Sequence, residues 1–541
     1  MSRRAAVLSS GLVFLSALAV RAWAASLIVF PKPEDTAYYV SVARNLLDGR
    51  GLVSDAIWSY QTPPLVFPRP AFEVWLPLPT FLAAVPMALL GPTFSSAQVA
   101  SVAVGALVPV LAWRIGADVA NELRLPVGRA RTLAVGAGLT AAVHLGLVLH
   151  STLPDSTMPF TVLALVACLL MTRLVRRPGD APLSMPGLVA LGVLIGAAAL
   201  TRNEAIWIGA TWAAVAWWTL RRTRAERLRA IAIPAIVAIA VFLPWALRDW
   251  AAFGSPFPGQ AVSNALSLDG TDIFAWSQPA TLSRYLDAGL GRLVQLRLTG
   301  FEHNLFDVLV FLGLPVAVLG LVALPWIGRR TALRPLLVYS VIAFLATCVL
   351  FPVSTTWGTF LHAAGPVHVL LMVSALVALD GAIAWVGRRR GWTRPVAWLG
   401  PTFAVAGALL FTVATLPSFG ASSAFTRNRY DALGPAVTAA GARFDAGTVV
   451  ISDNPIWIAA ATPARGLALP AEPPSSVRAL ADEFGATLLV IGGGVIPSWP
   501  AALSSGDPAA ACFHPLTLPR PASAAYAEAL RDVRVWSIDC P

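Results

Sequence analysis

Glu34 and Asp35 stand side by side just past the first long apolar segment, in Pro33-Glu34-Asp35-Thr36-Ala37-Tyr38-Tyr39. Two adjacent carboxylates at a membrane surface are costly unless they are solvated, paired or used. Two further acids lie at other helix ends: Asp155 in Leu153-Pro154-Asp155-Ser156, and Glu204 in Thr201-Arg202-Asn203-Glu204-Ala205. Separated acids that meet at one membrane face can act as a general base with helper carboxylates. They can equally hold a divalent cation. Arg69, Arg248 and His362 supply the opposite charge, and the guanidinium fork suits phosphate. Each residue also has a plainer reading. Asp35 precedes Tyr38, Val42 and Leu46, where a helix N-cap is wanted. Arg248 can snorkel at the end of a span. His362, His144, His150 and the Glu302-His303 pair can be packed interface residues. No Cys or His spacing specifies a metal site, so the metal question stays open.

The elements that must position these residues are membrane spans. Hydrophobic residues make up 57% of the 541 and charged residues only 12%, which excludes an ordinary soluble protein. The net charge of +11 is carried almost wholly by arginine, Lys32 being the only lysine. The arginines cluster between apolar segments and read as topology determinants rather than a nucleic-acid surface. Apolar segments fall near 6–29, 95–116, 131–149, 157–173, 185–200, 204–220, 229–247, 305–326, 334–351, 361–386 and 396–416, and a span needs roughly twenty residues. The Pro-containing segment 72–90 is ambiguous. If it does not cross, the clusters Arg124–Arg131, Arg173–Arg177, Arg221–Arg229, Arg329–Arg334 and Arg388–Arg394 all lie inside with Arg3 and Arg4. That parity predicts about eleven spans and a juxtamembrane 72–90. It also places Glu34, Asp35, Arg69, Asp155, Glu204, Arg248 and His362 outside. The polar first loop is long enough to have a job.

The chain divides into a membrane domain over 1–416 and a small external α/β domain over 417–541, joined by a polar linker. Residues 447–452 and 486–491 read as buried strands, 476–484 as an amphipathic helix and 533–538 as a last strand. Cys512 and Cys540 lie in that external part, where a disulfide between them would persist. Cys168 and Cys348 sit in apolar segments and read as packing.

The loop Glu34–Tyr39 with Ala43-Arg44-Asn45-Leu46-Leu47-Asp48-Gly49-Arg50-Gly51 resembles the first external loop of the GT-C superfamily of integral membrane glycosyltransferases. Leu243-Pro244-Trp245-Ala246-Leu247-Arg248 with Phe253-Gly254-Ser255-Pro256, Thr201–Ala205, and Ile451-Ser452-Asp453-Asn454-Pro455 follow in the family's order. The chain is most similar to the bacterial protein-mannosyltransferase-like and lipid A aminoarabinose transferase-like branch. The resemblance implies a polyprenyl-phosphate sugar donor, a protein, glycan or lipid acceptor, and Asp35 as catalytic base helped by Glu34 and Asp155. It implies a donor phosphate held by basic residues, here Arg69, Arg248 and His362 with Glu204 nearby. Branch members carry lysine or histidine where this chain has Pro68-Arg69-Pro70. Because polyprenyl phosphate leaves as a stable anion, one base and positioned cations suffice for an inverting transfer. A transporter or flippase of a lipid-linked sugar is the competing class; it calls for mid-membrane polar residues and internal repeats, neither of which is read here. A surface-polysaccharide polymerase or ligase is the third.

Overall fold

The computed structural model describes residues 3–178, 181–392, 396–493 and 499–539. Among the described residues, six helices are long and apolar enough to cross a membrane: Arg4–Leu27, Phe94–Glu122, Thr157–Val175, Arg224–Phe253, Gly365–Arg389 and Leu399–Ala439. Two bent pairs raise the number to as many as eight: Val127–Val143 with Leu145–Ser151, and Gly289–Phe311 with Val316–Ile327. The remaining segments expected to cross form the shorter helices Met185–Ala199, Ala205–Thr219 and Arg334–Leu350. At 1.5 Å per residue these reach about 22–26 Å, short of the roughly 30 Å hydrocarbon layer. Length and composition alone therefore support fewer spans than about eleven. The Pro-containing segment becomes the 13-residue helix Leu78–Leu90. Arg394, in the last expected inside cluster, lies outside the described residues.

Local sequence explains both how these helices begin and how they pack. Thr223 and Glu226 form a reciprocal capping box ahead of Arg224–Phe253, and Gly254 ends that helix at φ 71°. Gly192 and Gly196 form a small-residue stripe where Met185–Ala199 meets it. A Cβ at Gly192 would lie 2.7 Å from the Pro234 carbonyl oxygen. Such small residues let helix backbones approach without a large side chain between them.

The first loop and the tail share one sheet. The loop holds three two-residue strands, β1 (Val53–Ser54), β2 (Ala56–Ile57) and β3 (Arg69–Pro70), of which β1 and β3 pair antiparallel. The tail holds β4 (Val449–Ser452), β5 (Arg465–Ala468), β6 (Leu488–Ile491), β7 (Phe513–Leu516) and β8 (Arg534–Ile538). The six-stranded order is β2-β5-β4-β6-β8-β7. The first four run parallel, while β8 is antiparallel to both β6 and β7. Helices Pro455–Ala461 and Pro474–Phe484 make the connections. β4 and β6 are buried along their whole length, which is why they read as unbroken apolar runs.

No polar linker joins the tail to the last span. Position 417 lies inside the continuous helix Leu399–Ala439, whose distal Tyr430, Leu433 and Val437 are buried in an apolar cluster with tail residues Val450, Ile458 and Leu488. The loop after Phe253 is held as well: Glu472 accepts backbone N–H bonds from Trp276, Ser277 and Gln278 at 2.8–3.0 Å. Cys512 is disulfide-bonded; Cys540, its expected partner, lies outside the described residues. Cys168 and Cys348 are free and buried.

Candidate active site

The first-loop helix Glu34–Leu47 starts on Pro33, which makes no side-chain cap. Asp35 is therefore the second helical residue and not an N-cap. Its Oδ1 accepts the neighbouring Thr36 N–H at 2.7 Å, leaving Oδ2 to face His362 Nε2 at 3.3 Å. Burial, then the nearby negative charge of Asp155, raise the Asp35 carboxyl to about 7. A carboxylate poised near neutrality is what general-base catalysis requires.

His362 comes from the short helix Thr359–Ala363, which follows Gly358 at φ 113°. Its Nδ1 shares a 2.6 Å hydrogen bond with Thr157 Oγ1, which fixes the ring and leaves Nε2 directed at Asp35. Gly365 lets the helix after His362 pack closely on Thr157–Val175, since a Cβ there would sit 2.1 Å from Thr161 Oγ1, one turn from Thr157. On the same side, Asp155 Oδ1 accepts the Thr157 N–H at 2.8 Å and Oδ2 lies 3.4 Å from His150 Nδ1. Burial alone would raise the Asp155 carboxyl, but the hydrogen bond and charge of His150 outweigh it and hold it below the usual value. The His150 and His362 rings are 5.6 Å apart. Ligand atoms of His150, Asp155 and His362 lie within 4.8 Å of one another. Two imidazoles and a carboxylate suit zinc or another borderline divalent ion better than magnesium or calcium.

Arg202 closes the other side. Its Nε and Nη2 form a forked pair with Glu204 at 3.0 and 2.7 Å, and Nη1 donates to Ser156 Oγ at 2.8 Å. The structure thus brings Asp35, Asp155, Glu204 and His362 to one cluster. His150, Thr157 and Arg202 join them; sequence reading had not singled these three out for the chemistry. The flanking of Asp155 by His150, and the Arg202-Asn203-Glu204 adjacency, were the available signals.

The other expected site residues point elsewhere. Glu34 Oε1 accepts the N–H of Ile456 at 2.9 Å and of Trp457 at 3.3 Å, at the start of tail helix Pro455–Ala461. Burial pushes its carboxyl up to about 8 against those bonds. Arg69 is fully buried, paired with Glu73 at 3.1 Å and donating to the carbonyls of Ser59 and Thr62 at 2.8 and 2.5 Å. It has no solvent-facing edge to offer a phosphate. Arg248 donates to the Ala71 carbonyl at 2.7 Å and to Asp249 at 2.9 Å, and its guanidinium lies 4.9 Å from the Trp245 ring centre. It keeps a quarter of its side chain exposed.

No family model and no curated protein matches the chain. Solved structures do match. ArnT from Cupriavidus metallidurans bound to undecaprenyl phosphate aligns with a TM-score of 0.55 at 14% identity, covering 98% of both chains. The Archaeoglobus fulgidus oligosaccharyltransferase in complex with Zn and sulfate aligns with a TM-score of 0.54 at 16% identity, over 94% of this chain and 72% of that one. The same enzyme tethered to an acceptor peptide containing the NVT sequon gives 0.51 at 14% identity, over 94% and 74%. The chain therefore shares its overall fold with ArnT and with the archaeal oligosaccharyltransferase.

Proposed function

We propose that the chain is a membrane glycosyltransferase that moves a sugar from a polyprenyl-phosphate donor to an acceptor hydroxyl on the extracytoplasmic face, with inversion. The observation that carries the reading is the buried Asp35 carboxyl, raised to about 7 and facing His362 at 3.3 Å. The undecaprenyl phosphate held by the fold relative ArnT supports a lipid-linked donor. The arginine parity of the loops supports about eleven spans, with the shorter helices completed by flanking residues, and an outward-facing site.

The acceptor oxygen attacks the anomeric carbon opposite the phosphate. The bond from that carbon to the phosphate oxygen breaks and the polyprenyl phosphate leaves with the electron pair. Asp35 takes the acceptor's proton. Thr157 holds His362, which in turn holds the Asp35 carboxylate in place. Arg202, paired with Glu204, brings positive charge to the same cluster, and the partly open Arg248 remains the candidate ligand for the donor phosphate. Arg69 and Glu34 are struts in this reading rather than substrate ligands. His150, Asp155 and His362 fit a divalent ion, which would supply positive charge to the leaving phosphate when bound.

Proteoliposomes offered a panel of radiolabelled polyprenyl-phosphate sugars test the reading. The expected result is labelled acceptor together with free polyprenyl phosphate in equal amounts. Movement of intact labelled lipid between leaflets, without cleavage, would instead make the protein a transporter.

A further inference from the structure

A cavity of about 330 Å³ lies where the far end of the first-loop helix Glu34–Leu47 meets the tail. The end of that helix and the turn after it form one wall, and the tail segment leading into β5 forms the other. The cavity opens past Asp48 and Arg50, which are exposed. At about 100° per residue, Arg44, Asn45 and Asp48 fall within about 100° of one another, on the helix face that carries Glu34. Asp35 lies about 80–180° round the helix from them, and Arg44 is about 14 Å further along the axis. The cavity is thus separate from the Asp35 cluster, and it exists only where the tail docks on the loop.

Its charged lining consists of Arg44, Arg50 and Arg465 against Asp48 and Asp55. Arg50 and Asp55 neutralise each other in a forked pair with both bonds at 2.7 Å, and Arg50 also donates to Asn45 Oδ1 at 2.9 Å. The other three charges are not matched in this way. Arg465 has no ion-pair or side-chain hydrogen-bond partner among the described residues. The Phe67 ring centre lies 5.7 Å from its guanidinium, which orients the group without neutralising it. Arg44 makes a single side-chain bond among the described residues, from Nη1 to the Ala460 carbonyl at 3.1 Å. The Asp48 carboxylate has no hydrogen-bond or ion-pair partner among the described residues.

The cavity therefore offers two unneutralised guanidinium groups and one unneutralised carboxylate, with positive charge in excess. A carboxylate matches the guanidinium fork. Asp48 can only accept hydrogen bonds, so it calls for donors such as hydroxyls. A neutral sugar would leave the excess positive charge unanswered, and a dianionic phosphate would meet repulsion from Asp48 and Asp55. The volume falls within the range of about 300–1,000 Å³ usual for small-ligand sites. We propose that this cavity binds an acidic sugar, a ring bearing one carboxylate and free hydroxyls, with the carboxylate on Arg44 and Arg465 and hydroxyls on Asp48. On the glycosyltransferase reading, that sugar belongs to the acceptor and selects which glycan is presented to Asp35; the binding itself stands without that reading.

Saturation-transfer NMR on the full chain in lipid nanodiscs tests the site, with methyl glucuronide, methyl glucoside and glucose 6-phosphate as probes. The expected result is binding of the glucuronide, with the glucoside at least about tenfold weaker. Arg465→Gln should weaken glucuronide binding at least about tenfold at a native thermal midpoint. Arg44→Gln should do the same, and it serves alone if the first variant does not fold. No glucuronide binding, equal binding of the glucoside, tighter binding of glucose 6-phosphate, or unchanged glucuronide binding in the folded variants would each overturn the proposal. Binding is read without transfer, so a protein that binds the glucuronide but transfers no sugar contradicts the transferase reading and leaves this site standing.

Discussion

Replacing Glu34 by alanine should loosen the junction between the first loop and the tail. Its carboxyl is the side-chain acceptor for the N–H groups of Ile456 and Trp457, which open the helix Pro455–Ala461. A buried donor left without a partner costs about 1–3 kcal/mol, so two of them cost about 2–6 kcal/mol before any water enters. Even the lower figure corresponds to about a 30-fold change in a local opening equilibrium. Hydrogen exchange followed by mass spectrometry should therefore show the Ile456 and Trp457 amides exchanging at least about 30-fold faster in Glu34→Ala. Glu34→Gln should stay within a few-fold of the native rate. Burial raises the Glu34 carboxyl to about 8, so near pH 7 it is largely neutral, and glutamine preserves both its shape and its acceptor oxygen. Sugar transfer by Glu34→Gln should be nearly native. Unchanged exchange in Glu34→Ala would refute the docking role. Loss of transfer by Glu34→Gln with native exchange would return Glu34 to the chemistry.

Because Asp35 must be ionised to accept a proton and its carboxyl is raised to about 7, transfer should fall about tenfold per pH unit below about 7 and level off above it; a flat profile from pH 5 to 8 would contradict the base. Arg69→Met strands the buried Glu73 carboxylate, a loss of about 3–5 kcal/mol, so yield and thermal midpoint should drop. A well-folded variant with only a raised donor KM would make Arg69 a phosphate ligand after all. Purified protein stripped with chelator and dialysed against zinc should take up one ion by elemental analysis. The pair His150→Ala with His362→Ala should take up none, and equal uptake by both would remove the cluster as a metal site.

The apolar segments were legible because a span needs only composition and length, and each is helical in the structure, although 131–149 and 305–326 each fall on a bent pair of helices. Of the tail strands, β4, β6 and β8 were legible as apolar runs. β5 (Arg465–Ala468) and β7 (Phe513–Leu516) were not, being four residues each and broken by Arg465 and Gly466 or by His514 and Pro515; in the first loop the two residues of β2, Ala56 and Ile57, carry no pattern. Residues 418–439 read as a linker because serine, arginine and asparagine interrupt the apolar run. They stay helical because Tyr430, Leu433 and Val437 are buried in a cluster shared with the tail. Asp35 could be singled out from its position beside a span. His362 was also a candidate, but its pairing with Asp35 was not legible, since the two lie far apart in the chain and meet only in the fold. For Glu34, expected as a helper carboxylate, and Arg69, expected as a phosphate ligand, charge was visible in the sequence but burial and the partners Ile456, Trp457 and Glu73 were not.

The central claim rests on the proton-accepting oxygen of Asp35. Asp35→Asn keeps the size of the side chain and the oxygen that accepts the Thr36 N–H, and removes only the charge and the basicity. The direct measurement is single-turnover transfer from the preferred polyprenyl-phosphate sugar by Asp35→Asn and native protein, matched for yield and thermal midpoint. The account predicts a fall of about a hundredfold or more with donor binding retained. Transfer within a few-fold of native would contradict it.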